Sequence, residues 1–106
     1  MELSEEEINE ARILNQQYQM VMAQKQMLSS KNAELGSTLK ELENAKGKVF
    51  YGTGSVLIES DKKTVKERVE KQKEETANSL ETIETREKSV RKKIQKLQEK
   101  IQKDSE

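Results

Sequence analysis

The side chains that most often perform catalysis are missing from this sequence. It contains no His and no Cys, which removes the commonest general base and the strongest thiol nucleophile. Glu is abundant, but carboxylates spread along a charged helix are solvated surface groups of ordinary acidity. Gly52-Thr53-Gly54 has glycines without the G-x-x-x-x-G-K-[ST] pattern of a phosphate loop, so they are assigned to turn geometry. What remains is charge and apolar surface. Arg86 to Lys103 carries eight basic residues, Arg91-Lys92-Lys93 among them. With no interleaved aromatics and no net positive charge, this run is expected to be a solvated face, compensated by the acidic N-terminal end, and not a nucleic-acid site. The expectation is therefore no enzyme, no catalytic residue, no cofactor and no metal site. A chain without Cys also has no disulfide or Cys-type zinc site, and a reducing compartment is permitted.

The elements that must position any surface follow from composition. Only 31% of the residues are apolar, and Ala, Glu, Lys, Arg and Leu make up about half of the chain, as in long helices and coiled coils. Twenty basic residues balance 20 acidic ones, whereas disorder is favoured by high net charge. There is no Pro to break a helix from within. The longest apolar run is Val56-Leu57-Ile58, far short of a membrane span. The opening MELSEEEINE is acidic and lacks the apolar core of a signal peptide.

Ser4-Glu5-Glu6-Glu7 fits the S-x-x-E capping box and predicts a helix over 4–46. Leu14, Val21, Leu28, Leu35 and Leu42 form a row with one apolar residue every seven. The companion row of Ala11, Tyr18, Lys25, Asn32 and Leu39 is mixed, which makes a seam that holds helices together loosely. Gly47 is placed to take the left-handed cap conformation. Gly36, inside the helix, should weaken it by roughly 1 kcal/mol relative to Ala. A second helix over 61–104, capped by Ser60 or Asp61, carries the row Val69, Thr76, Ile83, Val90 and Leu97. Its partner row is Lys73, Leu80, Glu87, Ile94 and Ile101. The pairs Glu67/Lys71, Glu84/Lys88 and Glu87/Arg91 stand four apart and should support it by a few tenths of a kcal/mol each.

Between the helices, 48–59 reads as a β-hairpin. Val49-Phe50-Tyr51 and Val56-Leu57-Ile58 are β-branched and aromatic runs separated by Gly52-Thr53-Gly54-Ser55. The turn geometry stays open, because this is not an Asn-Gly loop. The helices have nearly equal lengths, so folding back at the glycines sets Leu42 near Val65 and Leu14 near Ile94. Charge agrees: residues 1–20 hold five Glu and one Arg, net −4, and residues 86–106 sum to +4. The fold class is mainly α: two long antiparallel coiled-coil helices joined by a short β-hairpin, read as a single domain over 1–106. A lone hairpin is marginal in water, and this one has apolar residues on both faces. Its strands are expected to pair with strands of other chains.

A long heptad helix, then KVFYGTGSVLIESDKKTV, then a second heptad helix resembles a β-class prefoldin subunit over nearly the whole chain. The central piece carries the likeness: Phe50-Tyr51, Gly54, Val56-Leu57-Ile58 and a charged helix start. One hairpin is the β-class pattern, and the α class has two; among eukaryotic β-class chains the similarity is to the subunit 1 group. The resemblance implies an ATP-independent chaperone subunit in a cytoplasmic heterohexamer of α- and β-class subunits. In such an assembly, the hairpins build a β platform from Val49, Phe50, Tyr51, Val56, Leu57 and Ile58. Coiled-coil tips then hold unfolded or nascent clients of the actin and tubulin type and pass them to a group II chaperonin. On this chain the client-binding candidates are Leu3, Ile8, Ile13, Met20 and Met22, with Met27 beside them. Opposite stand Val90, Ile94, Leu97 and Ile101, which are also placed to close the coil. Expected partners are other prefoldin subunits, unfolded clients and the chaperonin, with no nucleic acid and no membrane. The competing expectation is a structural coiled-coil adaptor or tether that binds one folded protein.

Overall fold

A computed structural model describes residues 3–104. Helix α1 spans Glu5–Asn44, strand β1 Val49–Thr53, strand β2 Val56–Ser60 and helix α2 Lys62–Asp104. No helix among the described residues is long and apolar enough to cross a membrane. The expected order of elements holds, and the bounds shift by one or two residues. The chain divides into two compact units: α1 up to Met27 with α2 from Leu80, and the segment Leu28–Ser79 that contains the hairpin.

Both helix starts form as their sequences dictate. The Glu7 backbone N–H donates to the Ser4 hydroxyl at 3.1 Å, and the Ser4 N–H donates to Glu7 Oε1 at 3.0 Å. This is the reciprocal capping box. At α2, Asp61 is the cap: its Oδ1 accepts from the Thr64 N–H at 2.7 Å. The end of α1 differs from expectation. It stops at Asn44, before the glycine, and the Ala45 N–H closes a tighter turn on the Leu42 carbonyl at 3.2 Å. The Lys62 ammonium donates to the Glu43 carbonyl at 2.9 Å. A lysine thus satisfies one of the carbonyls that a helix end leaves open. Gly47, at φ 84°, then turns the chain into β1.

In the Leu28–Ser79 unit, Leu42, Val65 and Val69 form the buried cluster, and Leu35, Leu39, Val49 and Tyr51 pack against it. Further along the same seam the contact becomes polar, with the Lys73 ammonium donating to Asn32 Oδ1 at 3.2 Å. Thr76 is buried on the apolar row because its hydroxyl donates to the Gln72 carbonyl at 2.8 Å. Gly36 does not interrupt α1.

In the other unit, Leu14, Val21, Ile83, Val90 and Leu97 are buried. The helices run antiparallel there: Lys25 meets Glu87, Tyr18 meets Arg91, and Leu14 lines a cavity with Ile94. Every position of the predicted sevenfold row from Val69 to Leu97 is buried, and Glu87 of the partner row is buried with it. The helix-supporting ion pairs follow less well. Glu87/Arg91 forms at 2.9 Å, whereas the pairs expected for Glu67/Lys71 and Glu84/Lys88 do not, and Lys66/Glu70 stands at 3.9 Å instead. Exposed pairs of this kind hold their side chains too weakly to fix a rotamer.

Candidate functional site

Two surfaces, one in each unit, expose apolar side chains that the fold does not use. The first is the hairpin. β1 and β2 pair antiparallel with Tyr51 opposite Ile58, Gly52 opposite Leu57 and Thr53 opposite Val56. Gly52 and Thr53 therefore belong to β1, and the turn is only Gly54-Ser55. Gly54 has φ 61° and Ser55 a negative φ, the backbone pattern of a type II′ turn, whose twist matches paired strands.

That register sends Phe50, Leu57 and Glu59 to one face and Val49, Tyr51, Val56 and Ile58 to the other. Val49 and Tyr51 are half-buried against the Leu42 cluster, and the Arg68 guanidinium sits 4.7 Å from the Tyr51 ring centre. The opposite face has no such cover. Leu57 is 74% exposed there and Phe50 56%, and on the Tyr51 face Val56 and Ile58 are exposed as well. Fully burying an aliphatic or aromatic side chain of this size stabilises by about 1.5–3 kcal/mol. Four of them give the hairpin a drive to dock that far exceeds its one exposed ion pair, Lys48–Glu59 at 3.3 Å.

The second surface lies on α1. Ile13, Met20 and Met27 follow one another at sevenfold spacing, off the seam, and are 50%, 64% and 68% exposed. Leu3 and Ile8 are exposed too, whereas Met22 is half-buried. On α2 the four candidates go the other way. Val90 and Leu97 are buried, Ile94 and Ile101 half-buried. Ile94, Leu97 and Ile101 meet Ala11 and Leu14 around a cavity of about 160 Å³. The structure thus separates an exposed set on α1 from a seam set on α2.

Beside Met20 lies a feature that sequence reasoning missed. An open groove of about 280 Å³ has Val21 and Val90 as its floor, with Gln17, Gln24, Arg86 and Lys93 on its sides. The expected compensation of the basic run by the acidic N-terminal end is met at Lys100, which acts on Glu7, but not along this groove. Arg86 to Lys96 stands opposite the Gln- and Met-rich part of α1, where Tyr18 contacts Arg91 and Lys25 contacts Glu87. The signal was available: α1 has no carboxylate anywhere from Ala11 to Ala33.

The only acid from Arg86 to Lys96 is consumed internally. Buried Glu87 accepts from the Lys25 ammonium at 2.8 Å and from Arg91 at 2.9 Å. The Lys25 hydrogen bond, against the opposing effect of burial, holds the Glu87 carboxyl below its ordinary range. The same bond raises Lys25. Arg91 also donates to the Tyr18 hydroxyl at 3.3 Å, which contributes most to raising the arginine further. Glu7 is held low chiefly by the Ser4 backbone N–H, and Asp61 by the N–H of Thr64. These shifts all stem from caps and seam contacts.

Two helices joined by a single hairpin, with apolar side chains left uncovered, define a coiled-coil hairpin fold. The prefoldin subunit family model matches residues 5–105. The chain belongs to the prefoldin subunit family, a family of chaperone subunits. Its fold is similar to that of the crystal structure of the prefoldin beta subunit from Thermococcus strain KS-1, with a TM-score of 0.85 and 23% identity. That match covers 92% of this chain and 87% of the other. The fold is thus the single-hairpin, β type. No curated protein matches.

Proposed function

We propose that this chain acts within a heterohexamer of α- and β-class prefoldin subunits, as a single prefoldin-type domain, and holds unfolded or nascent proteins without ATP. The uncovered hairpin carries this reading: Phe50, Val56, Leu57 and Ile58 are exposed on strands whose outer edges are free to pair. Strands from sister subunits supply both the missing hydrogen bonds and the missing apolar cover. Clients of the actin and tubulin type are held by the exposed α1 set, Leu3, Ile8, Ile13, Met20 and Met27, and are then released to a group II chaperonin in the cytoplasm. Methionine suits this task, because its flexible and polarizable side chain packs against many shapes. Val90, Ile94, Leu97 and Ile101 close the coil and back this surface. Within the β class, the sequence resemblance supports membership of the eukaryotic subunit 1 group.

The test is to measure mass by light scattering for the chain alone and after mixing with an α-class prefoldin subunit. The mixture is then assayed for suppressing aggregation of a chemically denatured protein without nucleotide. A mixed hexamer that suppresses aggregation is the expected result. A stand-alone dimer, indifferent to the partner and unable to suppress aggregation, would establish the adaptor function instead. Val56→Asp with Ile58→Asp should abolish the mixed hexamer and leave helicity mostly intact by circular dichroism. Unchanged assembly would remove the platform role of the hairpin.

A further inference from the structure

The groove beside Met20 combines an apolar floor with an electrostatic surplus that the fold does not consume. α1 from Ala11 to Met27 and α2 from Thr85 to Gln98 hold eight cations and a single carboxylate, Glu87, in a chain of zero net charge. Glu87 is buried and engaged by Lys25 and Arg91. Arg86 and Lys93 are exposed on the groove wall and make no ion pair among the described residues. Lys92 and Lys96 continue the positive surface along α2.

We infer that this groove selects apolar polypeptide segments that carry carboxylates, so that client choice depends on charge as well as hydrophobicity. Each part of the groove has a matching task. Met20, with Ile13 and Met27 in the same row, receives the apolar side chains. Arg86 and Lys93 meet Asp or Glu flanking them. Gln17 and Gln24 can each donate and accept, which serves the unpaired backbone amides of an unfolded segment. Ile13 to Met27 covers about 21 Å of helix, the length of about six residues of an extended segment. RNA is the less suitable occupant, because the groove offers amides and thioethers where base stacking calls for aromatic faces. An acidic partner also gains in encounter rate from the positive field, an advantage that salt removes.

This inference rests on the holding function proposed above, and its test separates the two. The full chain, assembled with its sister subunits, is titrated against two fluorescein-labelled peptides by fluorescence anisotropy. Both carry the same Leu and Phe positions; one has flanking Glu, and the other has Lys in the same places. The Glu peptide should bind roughly tenfold tighter at low salt, the size expected of two or three exposed charge pairs. Arg86→Glu with Lys93→Glu should reverse that preference, whereas Met20→Ser should weaken both peptides alike. All three altered residues are exposed, and circular dichroism checks that helicity is kept. Equal binding of the two peptides, or a preference that survives the charge reversal, overturns the inference. Tighter binding of a single-stranded RNA of similar length than of the Glu peptide overturns it as well. If aggregation suppression persists while charge preference is absent, the holding function stands and the selectivity fails. If neither peptide binds and aggregation is not suppressed, the holding function itself fails.

Discussion

The two helices are built to different specifications although they share one seam. On α2 every large apolar side chain is buried or half-buried, from Val65 through Val69, Leu80, Ile83 and Val90 to Ile101. Its other faces are polar and mostly charged. α1 keeps Leu14, Val21 and Leu42 buried but leaves Ile8, Ile13, Met20 and Met27 exposed. An exposed Leu or Met alone needs no explanation. Three at sevenfold spacing on one face form a stripe, and a stripe of apolar side chains marks an interaction surface. The large apolar side chains of α2 thus serve the seam, whereas α1 serves the seam and also carries the surface proposed to bind clients.

The largest effect that could break this comparison comes from the same substitution on the two helices. Val90→Asp puts a carboxylate on the buried row of α2 and should cost about 3 kcal/mol in thermal or denaturant unfolding. Met20→Asp should change stability by no more than about 0.5 kcal/mol and still impair aggregation suppression. Equal losses of stability would show that the outer stripe of α1 is core after all. A smaller contrast lies within α1 itself. Leu42→Ala should cost about 2–3 kcal/mol by leaving a void against Val65 and Val69, and Ile13→Ala about 0.5 kcal/mol or less.

Acid should weaken the unit that holds the stripe, because the seam carboxylates lie there. Glu87 and Glu7 have folded-state acidities stronger than ordinary carboxylates. The stability they contribute is therefore present above the ordinary carboxylate range and is lost as pH falls through the folded-state values. Melting temperature should drop from neutral pH to about pH 3, and Glu87→Gln should make that drop smaller. The smallest effect is a gain. A Cβ at Gly36 would meet nothing nearer than the Lys73 side chain, at 4.0 Å. Gly36→Ala should thus stabilise α1 by about 1 kcal/mol. Gly54→Ala should not help, because φ 61° strains any residue with a Cβ.

Much of the fold was legible because period and punctuation agree along the chain. The sevenfold rows locate the buried positions of α2, Ser4 and Asp61 locate the helix starts, and the β-branched runs locate both strands. Local chemistry with several solutions was less legible. A lysine from α2 meets the end of α1, a job for which Gly47 looked sufficient. The turn narrowed to Gly54-Ser55 because pairing Thr53 with Val56 completes the ladder. For the binding surface, sequence identified the exposed apolar residues of α1 singly but not as a row. Pairing charges end to end hid the groove: net charge over 20 residues balances, while the acid-free stretch from Ala11 to Ala33 decides what Arg86 and Lys93 actually face.

The central claim is that the outer stripe of α1 holds clients without holding the fold together. Its most direct test is the triple variant Ile13→Ser, Met20→Ser, Met27→Ser, assembled with its sister subunits and assayed with a denatured client. Light scattering should give the unchanged hexamer mass, circular dichroism the unchanged helicity, and aggregation suppression should be largely lost. Full suppression by a correctly assembled triple variant would contradict the account and move client holding elsewhere on the assembly.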